Sequence, residues 1–461
     1  MKQEKSMSTE SPVHEISDLV DQKSLRKSVV AGSIGVLVHW FDWAVYAYLA
    51  GTIAVVFFPE SNSSSGLLAA FAVFAVSFLV RPIGAVIFGR LGDRLGRKQT
   101  LSIVILSMAL ATLVLGLLPG YSSIGIAAPI LLIATRVVQG LAAGGEFGSA
   151  AAFLGEFSPA NRRGFGVSWL EFGSLLGFLL ASFTVVLLNV VFDPQQIIDW
   201  AWRIPFLITV PLGFIGLYIR RKIEDTPEFE QLKELETVSH APVREVFQRN
   251  RREFIQTCGM EIFMNVTFYV VLVYLLTYQE VYIGFDAGRA ALLSTLASAL
   301  GLIVVPLAGI ASDKLGRKPV LMTAAVALTL LAVPLFLLMQ SGASWASFVS
   351  TLGLALILAI ILGTHAVTVV ELFPTRTRQT GLSIAYAVTA ALFAGTAPYV
   401  LTWLLDSTGN MLVPGYFLAA VGVVGIITVI SIPETRGVAL LKEQDLETAT
   451  VEIPGEVYGR A

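Results

Sequence analysis

Apolar residues in this chain come in long unbroken runs, without the alternation of a half-buried strand or the narrow stripe of a surface helix. A helix needs roughly 20 mostly apolar residues to cross a bilayer. Twelve runs are of about that size: 29–58, 67–90, 99–119, 125–154, 164–192, 203–220, 254–282, 289–311, 319–340, 345–372, 380–405 and 412–432. The connections between them alternate in character. Those after runs 2, 4, 6, 8 and 10 hold Arg90/Arg94/Arg97/Lys98, Arg162/Arg163, the Arg220–Arg252 stretch, Lys314/Arg317/Lys318 and Arg376/Arg378. The opposite connections, such as Pro59-Glu60-Ser61-Asn62 and Gly120-Tyr121-Ser122, are short and almost free of Lys and Arg, with Arg203 and Arg289 as exceptions. Basic loops stay on the cytoplasmic side. The pattern therefore predicts a multi-pass protein of the cell membrane, with both termini cytoplasmic.

The connection at 223–252 is the longest and is rich in Glu, Lys and Arg. It divides the runs six and six. The expected organisation is a tail at 1–28, a six-helix bundle at 29–222, a cytoplasmic linker at 223–252, a second six-helix bundle at 253–434 and a tail at 435–461. The fold class is all-α, twelve transmembrane helices in two pseudo-symmetric bundles. Composition agrees: 55% of residues are hydrophobic and 14% charged, against about a quarter charged in soluble domains, and the mean hydropathy is +0.75. The net charge of −2 says nothing about nucleic-acid or acidic partners, and no nucleic-acid partner is expected of a membrane chain. A single cysteine, Cys258, permits no internal disulfide. The polar stretch 1–28 lacks the apolar core and small-residue site of a leader peptide, so the first run is expected to be retained.

The halves echo each other. Gly89-Arg90-Leu91-Gly92-Asp93-Arg94-Leu95-Gly96-Arg97-Lys98 returns as Gly309-Ile310-Ala311-Ser312-Asp313-Lys314-Leu315-Gly316-Arg317-Lys318. Both read Gly-x-x-x-Asp-Arg/Lys-Leu-Gly-Arg-Lys. Runs 4 and 10 each end in a Glu, then a Pro three residues on, then two Arg: Glu156, Pro159, Arg162/Arg163 and Glu371, Pro374, Arg376/Arg378. Paired halves of this kind place a substrate site at their interface near the bilayer midplane. The doubled loop resembles the signature of the major facilitator superfamily. Five further stretches resemble its metabolite:H+ symporter family: His39-Trp40-Phe41-Asp42, Arg81-Pro82-Ile83-Gly84, Gln139-Gly140 through Gly145-Glu146, Trp202-Arg203-Ile204-Pro205-Phe206 and Glu371-Leu372-Phe373-Pro374-Thr375-Arg376. The resemblance implies import of a small polar metabolite with protons, in a family whose substrates include organic acids, proline and glycine betaine. The chain departs from the family at His39, where a Glu is usual, and at Glu171 and Glu261, where neutral residues or amides are.

No Gly-x-x-x-x-Gly-Lys-Ser/Thr loop occurs, so ATP is not the expected energy source. No catalytic residue, metal site or cofactor is expected, and an ion gradient is the natural driver. Proton coupling needs a titratable group at membrane depth. Asp42 lies about thirteen residues into run 1, near the midplane at roughly 1.5 Å per residue. His39, Asp42 and Tyr46 share a helix face, so His39 and Asp42 could hold a proton between them. Arg136, Gln139 and Glu146 share a face of run 4, beside a Gly140/Gly144/Gly148 stripe suited to close helix contact. Glu146 is a further proton carrier or the partner of Arg136 or Arg81. Arg81 and Arg136 are anchors for a carboxylate, with Tyr46 and Gln139 as further substrate contacts. Trp43, Trp169, Tyr269, Tyr274, Tyr386 and Phe393 could line a cavity, and aromatic faces suit a quaternary ammonium. Glu171 and Glu261 are expected at a cytoplasmic vestibule, and His365, alone among apolar residues, is expected to serve helix packing, with a proton relay as the alternative. Asp93, Arg97, Glu156, Arg163, Asp313, Arg317, Glu371 and Arg378 are expected to form a cytoplasmic gate of ion pairs. The leading expectation is a monomeric proton symporter of an organic acid in the lipid bilayer. The alternatives are symport of a zwitterionic osmolyte, proton-driven efflux and a membrane sensor; neither tail is long enough for a sensor's effector domain.

Overall fold

The computed structural model describes residues 36–59, 63–95, 97–144, 146–221, 242–438 and 440. The tails at 1–28 and 441–461, most of the linker and the side chains of Asp93, Arg97 and Glu146 lie outside the described residues. Twelve helical segments follow one another. The first half holds α1 (Val36–Tyr48 and Ala50–Phe57), α2 (Ser63–Leu79 and Arg81–Leu95), α3 (Arg97–Leu117), α4 (Ala127–Ala143 and Glu146–Phe157), α5 (Arg163–Val191) and α6 (Arg203–Arg221). The second holds α7 (Arg251–Tyr282), α8 (Ala287–Leu315), α9 (Arg317–Met339), α10 (Ser344–Leu372), α11 (Thr375–Thr389 and Ala397–Thr408, joined through Ala390–Ala394) and α12 (Val413–Ser431). A short helix, Pro242–Arg249, precedes α7.

Eight described helices are long and apolar enough to cross a membrane, or nine when the two pieces of α1, bent by 62°, count as one. The others are shorter or interrupted. The surface of the assembly is greasy: Ile303, Leu330 and Ile427 are each more than 60% exposed. In water such a surface would drive aggregation; in lipid it is at no disadvantage. The polar and charged side chains of the spans turn inward instead, toward the α7 face, which is the most enclosed of the spans.

Two helix pairs join the halves most extensively, α5 along α8 and α2 beside α11. Within the first half, α2 and α4 cross at backbone contact. A methyl group on Gly144 would meet the Arg81 backbone and lie 2.5 Å from the Ala85 nitrogen. Gly148 belongs to a different contact, facing Ser383 of α11. The repeated loop between α8 and α9 turns on Gly316, whose φ of 106° suits glycine. A side chain there would also strike Glu434, which lies 2.6 Å from the Cβ position. At the other end of α8, Asp286 caps the helix by accepting from the Arg289 N–H at 2.9 Å.

The close crossing of α2 and α4 predicts that Gly144→Val lowers stability by about 1–3 kcal/mol through overpacking. Gly51→Ala, with its nearest neighbour 3.9 Å away, is the control in open space and should hold stability or raise it by up to about 1 kcal/mol, since alanine suits a helix better than glycine. Unfolding of the purified protein in detergent, followed by tryptophan fluorescence, checks both.

Candidate substrate and coupling site

Three charged groups lie inside the spans. The first is in the first half and centres on Asp42. Gln139 Nε2 donates to Asp42 Oδ2 at 3.0 Å and to Thr112 Oγ1 at 2.8 Å. Arg136 Nη1 donates to Gln139 Oε1 at 2.8 Å and stands 3.8 Å from Asp42 Oδ2. The guanidinium lies 3.9 Å above the Tyr46 ring, and the Tyr46 hydroxyl donates to the Ala70 carbonyl at 2.9 Å. Asp42, Arg136, Gln139 and Thr112 are all buried. A charge in such a place costs several kcal/mol if left alone, and the carboxylate and guanidinium compensate each other. His39 packs on Trp40 and Trp43, with ring centroids 5.5 and 6.0 Å away, and lies within electrostatic range of Asp42. Asp42 thus belongs to an Asp42–Gln139–Arg136 network, in which α4 adds a permanent cation to the His39 on its own helix face. Tyr46 and Gln139, expected as substrate contacts, are held inside this network.

The second group centres on Arg81, where the two pieces of α2 meet. Its guanidinium stacks 3.8 Å from the Phe78 ring centroid and 4.4 Å from that of Trp43. Its Nε and Nη2 are buried without a hydrogen-bond partner. Among the described residues no carboxylate lies within ion-pair distance of it. Trp40, Phe74 and Tyr269 extend the aromatic wall, with Phe78 and Tyr269 centroids 5.2 Å apart. Tyr269 and Tyr386 also lie within electrostatic range of Arg81. This is a buried cation with open donors, ringed by π faces. It suits a ligand carrying one carboxylate and one soft cation.

The third group was not expected. His365 Nε2 lies 3.2 Å from Glu261 Oε1, and neither side chain is exposed. Asn265 Nδ2 donates to Glu261 Oε2 at 3.0 Å. Glu171 of α5 is buried within electrostatic range of both. The vestibule placement of Glu171 and Glu261, and the solitary role of His365, are therefore corrected: α5, α7 and α10 meet, and three lone polar residues become one cluster. The available signal was that a charge in an apolar run needs a partner.

At the end that carries the glycine loops, six of the eight expected gate residues come together. Glu371 accepts from Arg163 Nη1 at 3.1 Å across the halves, and from Arg317 Nε and Nη2 at 3.2 and 3.1 Å. Arg317 Nη1 donates to Asp313 Oδ1 at 2.8 Å. Asp313 also accepts from the N–H groups of Gly164 and Phe165 at 2.8 and 2.9 Å, at the N-terminus of α5, where an anion is favoured. Arg378 Nη1 donates to Glu156 Oε1 at 3.0 Å, again across the halves. The chain after α12 adds a strap that the polar tail did not announce. Thr435 Oγ1 donates to Glu371 at 2.8 Å, while the carbonyls of Val438 and Leu440 accept from Arg163 and Arg378 at 3.0 and 2.8 Å. The opposite end is joined more lightly, by Ser294 Oγ donating to Tyr48 Oη at 2.8 Å and by Thr295 Oγ1 donating to Ser182 at 3.0 Å. Arg203 lies there too and donates to the Asp199 and Leu118 carbonyls.

With this geometry in place, comparison with known proteins is decisive for the family. The family model described as Major Facilitator Superfamily matches residues 32–392. The chain belongs to the major facilitator superfamily. Its similarity to the metabolite:H+ symporter branch is carried by relatives across nearly the whole length. The proline/betaine transporter of Salmonella typhimurium is 37% identical over 454 residues, covering 95% of this chain and 90% of that one. The proline/betaine transporter of Escherichia coli K12 is 38% identical, covering 90% and 85%. The glycine betaine/proline/ectoine/pipecolic acid transporter OusA of Dickeya dadantii is 38% identical with the same coverage. Among solved structures, the proton:xylose symporter XylE superposes with a TM-score of 0.75 at 18% identity, covering 93% of this chain and 99% of that one. The chain is thus a membrane transporter with the superfamily's fold, and not an enzyme.

Glu434 supplies a pH test of the strap. Its carboxylate accepts from the Arg317, Lys318 and Arg436 amides at 2.8, 3.1 and 3.0 Å. Partial burial pushes its acid strength toward the neutral form, but the backbone amides of Arg317, Arg436, Lys318 and Thr435 outweigh burial and hold it below the usual carboxylate range. A carboxyl lowered in the folded state stabilises above its unfolded value of about 4.3, and that contribution is lost as pH falls through the folded value. Glu434→Gln should therefore melt below wild type at neutral pH, with the gap closing in acid. A gap that is constant with pH contradicts the assignment.

Proposed function

We propose that the chain is a proton-coupled symporter that takes up a zwitterionic osmolyte of the proline or glycine betaine kind by alternating access. The observation that carries this reading is Arg81, a buried guanidinium with open donors and an aromatic wall. A carboxylate would complete its hydrogen bonds in parallel, and a quaternary or secondary ammonium would rest on the rings. A di- or tricarboxylate would bring further negative charges beside Glu171 and Glu261 without cations to meet them. The proline/betaine transporters among the relatives support the same choice. The zwitterion therefore takes precedence over the organic acid that the sequence alone favoured.

Asp42 is the coupling carboxylate in this account. Protonating it removes the counter-charge of Arg136 and loosens α1 from α4, which changes how the first half packs on the second. The ion pairs at the glycine-loop end form a cytoplasmic gate, closed while Arg163–Glu371 and Arg378–Glu156 are made. Substrate enters from the opposite side and leaves when those pairs part and the halves rock. Both termini are cytoplasmic, and a single chain contains the complete pathway.

Uptake into proteoliposomes with the interior made alkaline tests the reading. Labelled glycine betaine and proline should accumulate ahead of citrate, α-ketoglutarate and shikimate. Accumulation should collapse with a protonophore and in Asp42→Asn. Preferred uptake of a di- or tricarboxylate contradicts the proposal. Arg81→Lys loses the paired donors, and its KM should rise at least about tenfold, the equivalent of a lost charged hydrogen bond of about 1.5–3 kcal/mol. Unchanged KM removes Arg81 from the substrate site.

A further inference from the structure

We propose that Phe78 and Gly395 make the closing contact of the substrate site, so that Arg81 is set for its ligand only while the two halves meet. The inference rests on the reading of Arg81 given above and adds to it a positioning residue, Gly395, from the opposite half.

Phe78 belongs to α2 and is fully buried. Its ring carries the Arg81 guanidinium at 3.8 Å and meets the Trp43 ring edge to face at 4.7 Å. The second half holds the same side chain at two further points. Tyr269 of α7 stands nearly perpendicular to the ring, with centroids 5.2 Å apart. Gly395 of α11 lies against the base of the side chain: a methyl group on it would overlap Phe78 Cβ and Cγ and lie 2.7 Å from Cδ2. Gly395 has a φ of −65°, which any residue adopts. Glycine is required there by the close approach of Phe78 and not by the backbone conformation.

All three helices depart from the regular α ladder at this contact. In α2 the interruption at Val80 follows from Pro82, which has no N–H for the Phe78 carbonyl. In α11 Pro398 likewise leaves the Ala394 carbonyl without its helical donor. The residues before it, Ala390–Ala394, form a π turn, and the Gly395 N–H donates to the Ala390 carbonyl at 2.9 Å. In α7 a π turn begins at Tyr269. Such turns recur at functional sites. Bending α2 or α11 at this level breaks no helical bond to the Phe78 or Ala394 carbonyl.

These contacts tie closure to affinity. When the halves part, Phe78 loses Gly395 and Tyr269 together, and the ring under Arg81 is no longer fixed. A guanidinium on a loose ring gives up part of its preorganisation, and its ligand binds less tightly. The closed form therefore binds better than the open one, and a ligand on Arg81 favours closure by the same factor. The link is one of packing, and it holds for a ligand with no net charge.

Binding of labelled glycine betaine to the purified full chain in detergent tests this. Gly395→Ala should raise Kd at least about fivefold, because its methyl group holds α11 off Phe78 in the closed form. Leu392→Ala, on the same π turn but 57% exposed, should leave Kd unchanged. Phe78→Leu, which keeps Cβ and Cγ and loses the π face, should raise Kd about three- to thirtyfold. The decisive comparison is a double-mutant cycle. In an Arg81→Lys background, Gly395→Ala should raise Kd by less than about twofold, since the group it positions is already lost. Penalties that simply multiply reveal a general packing defect and overturn the proposal, as does an unchanged Kd in Gly395→Ala. Amide exchange of the wild type guards against a variant that misfolds: betaine should slow exchange across 390–396, and unchanged exchange there overturns the proposal as well. A wild type that binds neither betaine nor proline removes the reading of Arg81 and this inference with it, and is recognised before any variant is made.

Discussion

The organisation of this protein depends on one constraint: a charge inside the membrane must be compensated within the protein. A single ionised side chain at the bilayer centre costs at least about 2.5 kcal/mol, and a buried pair left half-made costs more than one never formed. The charged residues in the spans obey this in three ways. Asp42 and Arg136 answer each other through Gln139. Glu261 is met by His365 and Asn265. Among the described residues, Arg81 is met by rings and by no carboxylate. An incomplete site of this kind is what a transporter needs, since a ligand that completes it is bound and a change of packing can release it.

The same constraint connects the site to the motion. Arg81 is fully enclosed, so a substrate can reach it only if the halves part. The contacts at the two ends are unequal. The glycine-loop end is fastened by Arg163, Arg317 and Arg378 on Glu371, Asp313 and Glu156, with the Thr435–Leu440 strap laid across them. The other end is held by hydroxyl contacts such as Tyr48 to Ser294. Hydroxyl bonds are weaker than charge-assisted ones. The barrier to opening is therefore asymmetric, and the strap makes the polar segment after α12 a working part of the stronger end.

Much of this was legible in the sequence. Apolar runs of span length fix the helices whatever the tertiary contacts, because lipid leaves the backbone no other way to satisfy its hydrogen bonds. The doubled glycine loop and the doubled Glu–Pro–Arg pattern placed Glu156, Arg163, Asp313, Arg317, Glu371 and Arg378 at one end, where their pairs are found. Asp42, Arg136 and Gln139 were each singled out, though the partner assigned to Asp42 was His39 on its own helix face. The cluster of Glu171, Glu261 and His365 was missed because its members are far apart in the chain and no periodicity relates α5, α7 and α10. The strap was missed because its bonds run through the carbonyls of Val438 and Leu440, which leave no trace in side-chain pattern. The proposed substrate class turns on the surroundings of Arg81, and the wall of Trp40, Trp43, Phe74, Phe78 and Tyr269 is assembled from three helices.

The most direct test of this account is an experimental structure of the full chain with glycine betaine bound. The carboxylate should lie on Arg81 Nε and Nη2, with the methylated nitrogen against the aromatic wall. Betaine bound elsewhere, with Arg81 still stacked between Trp43 and Phe78 and its donors unmet, would contradict it.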